Sequence, residues 1–155
     1  GELALRYLRS HGPATEGDLA RWTGLPLRDV RAGIALAADG LATLEVDGVI
    51  HHLDPATPDL LAQHRTAARG VHLLPGFDEI VLGYADRSAT VPPEHAERIV
   101  PGGNGVFRAT VLHGGVAVGT WRRTGTGKNR RLVAEPFSAF SPTVTARLDA
   151  LRAAR

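Results

Sequence analysis

Asp47-Gly48 is the feature that most restricts what this chain can become. It separates two short alternating runs, Leu44-Glu45-Val46 and Val49-Ile50-His51. A two-residue loop between such runs needs positive φ at both of its positions, which Asp-Gly tolerates, so a β-hairpin is expected here. Three helical segments are expected before it. Residues 2–10 place Leu5 and Leu8 three apart with Ala4 on the same face, and His11-Gly12-Pro13 stops them. Thr15 then stands where an N-cap belongs, with Asp18 at the capping-box position, opening a second helix that ends at Gly24. Leu19 and Trp22 are expected to face inward from it. After the Leu25-Pro26 turn a third helix starts near Leu27, with Val30, Ile34 and Ala37 or Ala38 on its buried stripe and Gly40 at its close. Three helices followed by a hairpin is the winged-helix pattern, with helices two and three as the helix-turn-helix.

Residues 54–58 have the composition of a linker, and 59–68 read as a short helix. From Val71 the texture changes. Strands are expected at 71–74, 80–82, 106–112, 116–122 and 130–135, with a hairpin turn at His113-Gly114-Gly115. A helix with Pro in its first turn is expected at 92–100. Ser141-Pro142 opens a last one, with Val144, Leu148 and Leu151 on one face. The fold class expected is α+β: a winged helix (three helices plus a hairpin wing) over 1–54, a linker over 55–70, and a β-barrel-like domain with flanking helices over 71–155.

Charge is distributed unevenly. Residues 1–100 carry nine Arg/Lys and fourteen Asp/Glu, a net −5, whereas residues 101–155 carry nine and two, a net +7. A basic half points to a polyanionic partner, with a merely solvated surface as the alternative. There are no cysteines, hence no disulfide framework and no thiolate metal site. No apolar run approaches a membrane span and no secretory leader is visible, so a cytoplasmic protein without membrane contact is expected. The chain opens at Gly1 and lacks Met, from which a longer parent is expected.

The third helix would be the reading helix of a sequence-specific binder. Its Arg28 and Arg31 are balanced by Asp29 and Asp39, and no Asn or Gln occurs in residues 1–50. Packing against another domain suits it better than reading base edges. The basic cluster is Arg108, Arg122, Arg123, Lys128, Arg130 and Arg131. Adjacent strand residues point to opposite faces, so Arg122 and Arg123 cannot both enter a core, and only Glu135 is near in sequence to pair with them. Exposed clustered guanidiniums suit bidentate phosphate binding. Asn104 joins this candidate DNA-binding set because the Pro101-Gly102-Gly103-Asn104-Gly105 loop lets one backbone approach another closely; a plain turn is the alternative. A phosphate-loop reading of Gly119–Lys128 fails, since Arg122 stands where glycine is needed and Asn129 follows the lysine. The histidines lack ligand spacing, so no metal or cofactor is expected. Asp78, Glu79 and Asp86 have no second catalytic element, and a hydrogen-bonding role is the default for them.

Four ordered stretches carry a family resemblance: Leu73-Leu74-Pro75-Gly76-Phe77-Asp78-Glu79, Leu82-Gly83-Tyr84-Ala85-Asp86-Arg87, Pro101 to Arg108, and Val118-Gly119-Thr120-Trp121-Arg122-Arg123. They resemble the C-terminal half of the AlkZ-like winged-helix DNA-binding proteins, which include bacterial DNA glycosylases that excise alkylated bases and unhook interstrand crosslinks. The resemblance implies stacked winged helices around a β-barrel, a DNA-facing hairpin, a double-stranded DNA partner and a missing N-terminal half of the parent protein. Family glycosylases use a Gln-aliphatic-Gln motif, and this sequence has a single glutamine, Gln63. The expectation is thus a non-catalytic DNA-binding and scaffolding part of a DNA-repair protein whose parent's activity stays open. A winged-helix transcriptional regulator and a protein-interaction module without DNA binding are the alternatives.

Overall fold

The computed structural model describes residues 1–153, with the side chain of Lys128 outside the described set. The chain divides into two compact units, Gly1–Arg65 with Gly83–Asp86, and Thr66–Leu82 with Arg87–Arg155.

The first unit contains α1 (Glu2–His11), α2 (Glu16–Thr23), α3 (Leu27–Ala37), β1 (Ala42–Val46) and β2 (Val49–Leu53). The capping box forms as expected: the Thr15 hydroxyl accepts from the Asp18 backbone N–H and the Asp18 carboxylate accepts from the Thr15 N–H. Gly24 ends α2 in the left-handed region at φ 72°. Asp47 and Gly48 both have positive φ, 50° and 78°, and close the antiparallel β1–β2 hairpin. A third strand-like bridge joins Ala14 to His52 through both backbone N–H groups. The core gathers Ala4, Tyr7 and Leu8 of α1, Ala14, Leu19 of α2, and Val30 and Ala37 of α3. Leu8 and Leu19 are essentially sealed, each stabilising the fold by about 1.5–3 kcal/mol. Trp22, expected to face inward, is 47% exposed. The buried Tyr7 ring, 5.3 Å away, occupies the core position, and Trp22 lies tilted at its edge.

Gly83–Asp86 belongs to this unit although the flanking residues belong to the other. The Tyr7 hydroxyl donates to the Gly83 carbonyl at 2.9 Å, the Tyr84 hydroxyl to the His11 carbonyl at 2.7 Å, and the Ala85 N–H to the Asp18 carboxylate at 2.7 Å. Asp18 therefore does two jobs, capping α2 and holding a piece of chain 67 residues away. Helix α4 (Thr57–Ala68) follows the hairpin and buries none of its residues.

The second unit is built on an antiparallel sheet of β3 (Val71–Leu74), β4 (Thr110–His113), β5 (Val116–Thr124) and β6 (Arg131–Pro136), in the order β3-β4-β5-β6. Short helices α5 (Glu79–Leu82) and α6 (Ala96–Ile99) lie between β3 and β4, and α7 (Pro142–Ala153) ends the chain. Residues 80–82, expected as a strand, are helical. The Asp78 carboxylate accepts from the Ile80 N–H, and the Asp78 carbonyl takes the Val81 and Leu82 N–H groups, so a side-chain cap decides a run too short for periodicity to decide. The strand expected from Val106 begins only at Thr110. Four strands remain, with β3 and β6 as open edges, so no closed barrel forms among the described residues. The sheet's alternation sorts its residues. Val71, Leu73, Val111, Trp121, Leu132 and Ala134 meet Val144 and Leu148 of α7 on one face, while Leu74, Leu112 and Ala117 meet Val81, Val91, Ile99 and Phe107 on the other.

Candidate nucleic-acid interface

The segment between β3 and β4 covers only part of that second face. Directly paired strand residues share a face, so the pairs Thr110↔Thr120, Thr120↔Glu135, Arg122↔Val133 and Thr124↔Arg131 form one continuous row. The Trp121 N–H donates to the Ala109 carbonyl at 3.0 Å, which carries the β4–β5 register past the end of β4 and brings Arg108 alongside Arg122. An open cleft of about 720 Å³ lies over this part of the sheet. Its lining includes Arg108, Thr120, Arg122, Arg123, Val133 and Glu135, with Pro75 and Gly76 as a wall. Gly76 permits that wall: a Cβ there would stand 2.8 Å from the Phe107 carbonyl oxygen.

Each arginine of the cleft is held differently. Arg122 pairs with Glu135 at 3.3 Å, the partner that sequence proximity suggested. Arg123 points off the other face and lies over the Trp121 indole, 5.9 Å from its centroid. That ring is fixed by its own N–H, which donates to the Leu74 carbonyl at 2.7 Å. Among the described residues the Arg108 guanidinium reaches the Arg98 carbonyl, at 3.5 Å, a contact at the outer limit of a hydrogen bond. Arg108, Arg122 and Arg123 are all exposed, as a phosphate ligand would require.

The remaining expected residues do not line the cleft. Arg130 and Arg131 are exposed at the turn between β5 and β6, and Arg131 shares the sheet face of Arg122. Lys128 falls in the same turn, with its side chain outside the described residues. Asn104 is exposed in its loop, where its side-chain oxygen accepts from the Val106 N–H at 2.9 Å. It shapes a turn there, the alternative reading of that loop. Thr120, Trp121 and Gly76 were not expected in the site. The signal for them lay in the motifs that carry the resemblance, but only the sheet register shows that these stretches meet. Arg98 looks like a further free cation in sequence. It is spent on structure instead, donating to the Pro136 and Phe137 carbonyls at 2.9 and 2.6 Å and lying over the Phe137 ring.

The third helix offers a different surface. Arg31 makes a two-pronged contact to Glu16, at 2.6 and 2.8 Å, and Arg28 pairs with Asp29 at 3.0 Å. The Arg31 hydrogen bonds hold the Glu16 carboxyl below the usual carboxylate range. Beside these closed pairs, Leu36 is 81% exposed, and Leu25 and Leu27 are partly exposed.

The chain is a mixed α+β protein with an arginine-lined cleft on the sheet of its second unit. A family profile described as "DNA glycosylase AlkZ-like" matches residues 1–154, and the chain belongs to that family. The Streptomyces sahachiroi DNA glycosylase AlkZ is similar in fold, with a TM-score of 0.74 at 24% identity, over 98% of this chain and 42% of that one. The chain thus spans less than half the length of that solved relative. No curated protein matches. Among the described residues no helix is long and apolar enough to cross a membrane, and no group of three or more His, Cys, Asp or Glu is placed to hold a metal.

Proposed function

We propose that this chain is the DNA-binding and scaffolding part of a glycosylase-like repair protein, and that it holds duplex DNA by its phosphates through the second unit. The observation that carries the reading is the convergence of Arg108 and Arg122 on one cleft, with Arg131 on the same sheet face as Arg122. Guanidiniums form paired hydrogen bonds to phosphate oxygens, and such contacts position a protein on DNA without reading sequence. The first unit, read as a winged helix with the β1–β2 hairpin as its wing, serves as the scaffold. Its α3 arginines already have carboxylate partners, which disfavours a regulator that reads bases through that helix.

Titration against two unrelated duplexes at several salt concentrations tests this. Equal affinities are expected, with log K falling linearly against log salt. A strong preference for one duplex with a shallow salt slope would sink the proposal. Incubated with alkylated DNA, the chain is expected to release no base, because its single glutamine, Gln63, cannot supply the family's Gln-aliphatic-Gln motif. Release above a no-protein control would overturn that part.

The exposed leucines of α3 favour a second reading, in which this helix docks on a protein surface. It is compatible with the first, since the two occupy different units.

A further inference from the structure

We propose that Glu135 is a counter-charge built into the cleft, which competes with backbone phosphate for Arg122 and so weakens the grip of the second unit on nucleic acid. The inference rests on the phosphate-binding reading above and concerns how that same site is tuned. Residues 101–155 contain two carboxylates, Glu135 and Asp149. Asp149 pairs with Arg152 on α7, within the same helix. Glu135 instead stands among the cleft residues, and it is the acidic one in a lining that contains three arginines.

Its contact with Arg122 has the marks of a pair that can exchange. The 3.3 Å separation is long for a charge-assisted hydrogen bond, and the two side chains are 62% and 57% exposed. Exposed single contacts of this kind stabilise a fold very little. Nor is the pair needed to join the strands, because β5 and β6 are paired from Gly119↔Pro136 to Thr124↔Arg131 by backbone. Yet a phosphate oxygen seeks the same guanidinium fork that the carboxylate occupies, and it also meets the carboxylate's like charge. Glu135 therefore contributes little to holding the sheet and much to opposing an anion.

The test compares E135Q, R122A and the double variant R122A/E135Q in duplex binding at low salt. Glutamine keeps the shape and removes the charge, and urea unfolding of E135Q is expected to match the parent. E135Q should bind about three- to tenfold more tightly, with the gain shrinking as salt rises. R122A should bind more weakly, and adding E135Q to it should recover much less than E135Q gains alone. If E135Q binds no more tightly while R122A weakens binding, the counter-charge is wrong and the phosphate cleft stands. A full gain from E135Q in the R122A background also overturns the proposal, since Glu135 would then act without Arg122. If R122A binds as well as the parent, both the cleft reading and this inference fall.

Discussion

The two units spend their charges in opposite ways. In the first, four of the six arginines are matched with carboxylates: Arg6 with Glu2, Arg9 with Asp54, Arg28 with Asp29 and Arg31 with Glu16. This unit also leaves large apolar side chains exposed, including Leu36 on α3 and Val46, Val49 and Ile50 on the hairpin. In the second, Arg108, Arg123, Arg130 and Arg131 form no ion pair among the described residues, and Arg122 has one loose partner. Matched charges cancel at a distance and hold elements together weakly, whereas unmatched ones project a field that attracts polyanions. Carboxylates of the first unit should therefore matter for folding, and arginines of the second for binding.

The sharpest way to break this contrast is Asp18→Ala. Asp18 is 5% exposed and accepts from the Thr15 N–H, the Thr15 hydroxyl and the Ala85 N–H. Alanine would remove the cap and strand three donors, at a cost of about 2–4 kcal/mol. Urea unfolding should register that loss, with asparagine recovering part of it. The DNA affinity of the folded fraction should be unchanged. A loss below about 0.5 kcal/mol, within what ordinary surface substitutions cause, would mean that the Gly83–Asp86 segment is held by something else.

Binding comes next in size. Replacing Arg122 and Arg130 with Ala should cut the salt slope by roughly 1–2 units and duplex affinity by roughly fiftyfold at 0.1 M salt, if each guanidinium touches one phosphate. The drop should be equal for unrelated sequences. Replacing Arg28 and Arg31 should do far less, because their partners Asp29 and Glu16 are close and intact. If the Arg28/Arg31 variant loses one duplex selectively and the Arg122/Arg130 variant loses neither, the charge contrast is irrelevant to binding and α3 reads DNA.

What could be read from sequence was local chemistry. Thr15 with Asp18, Asp47 with Gly48, and the Gly114-Gly115 turn between β4 and β5 each fix backbone geometry within a few residues, and each formed as expected. The α7 stripe was legible too, since Val144 and Leu148 recur at helical spacing and both are buried. What failed depended on contacts that periodicity does not encode. Trp22 has the right spacing for burial, but Tyr7 takes the place. The run 80–82 is short enough for a strand or a helix, and the Asp78 cap chooses. The site was half legible. Alternation argued that Arg122 and Arg123 could not both be buried, but their union with Arg108 and Gly76 needs the β4–β5 register and the β3 turn. Asp18 gave no sign of its second partner, because nothing in either stretch encodes a contact across 67 residues.

The smallest effect expected is a pH dependence confined to the first unit. Burial pushes the His52 imidazole below its usual value of about 6.5, outweighing the pull of Glu16, and the charge of His51 works in the same direction as burial. Between the two values the unfolded chain binds a proton that the folded chain does not, so stability rises with pH there and is lost as pH falls from about 7. Glu16, held low chiefly by its hydrogen bonds from Arg31, acts with the same sign further into acid. Its contribution is present above the ordinary carboxylate range and disappears as pH falls through the depressed value. Neither group belongs to the arginine cleft, so the second unit should not share this loss. Urea unfolding at pH 7.5 and 5.5 would show it as a modest drop in the parent chain, smaller than either effect above, and as a shallower pH slope in His52→Gln. Superimposable slopes for the two proteins would mean that His52 is solvated well enough to titrate as it does in the unfolded chain. The Glu16 contribution, which lies further into acid, would then be the one left to test, by urea unfolding of Arg31→Gln at lower pH.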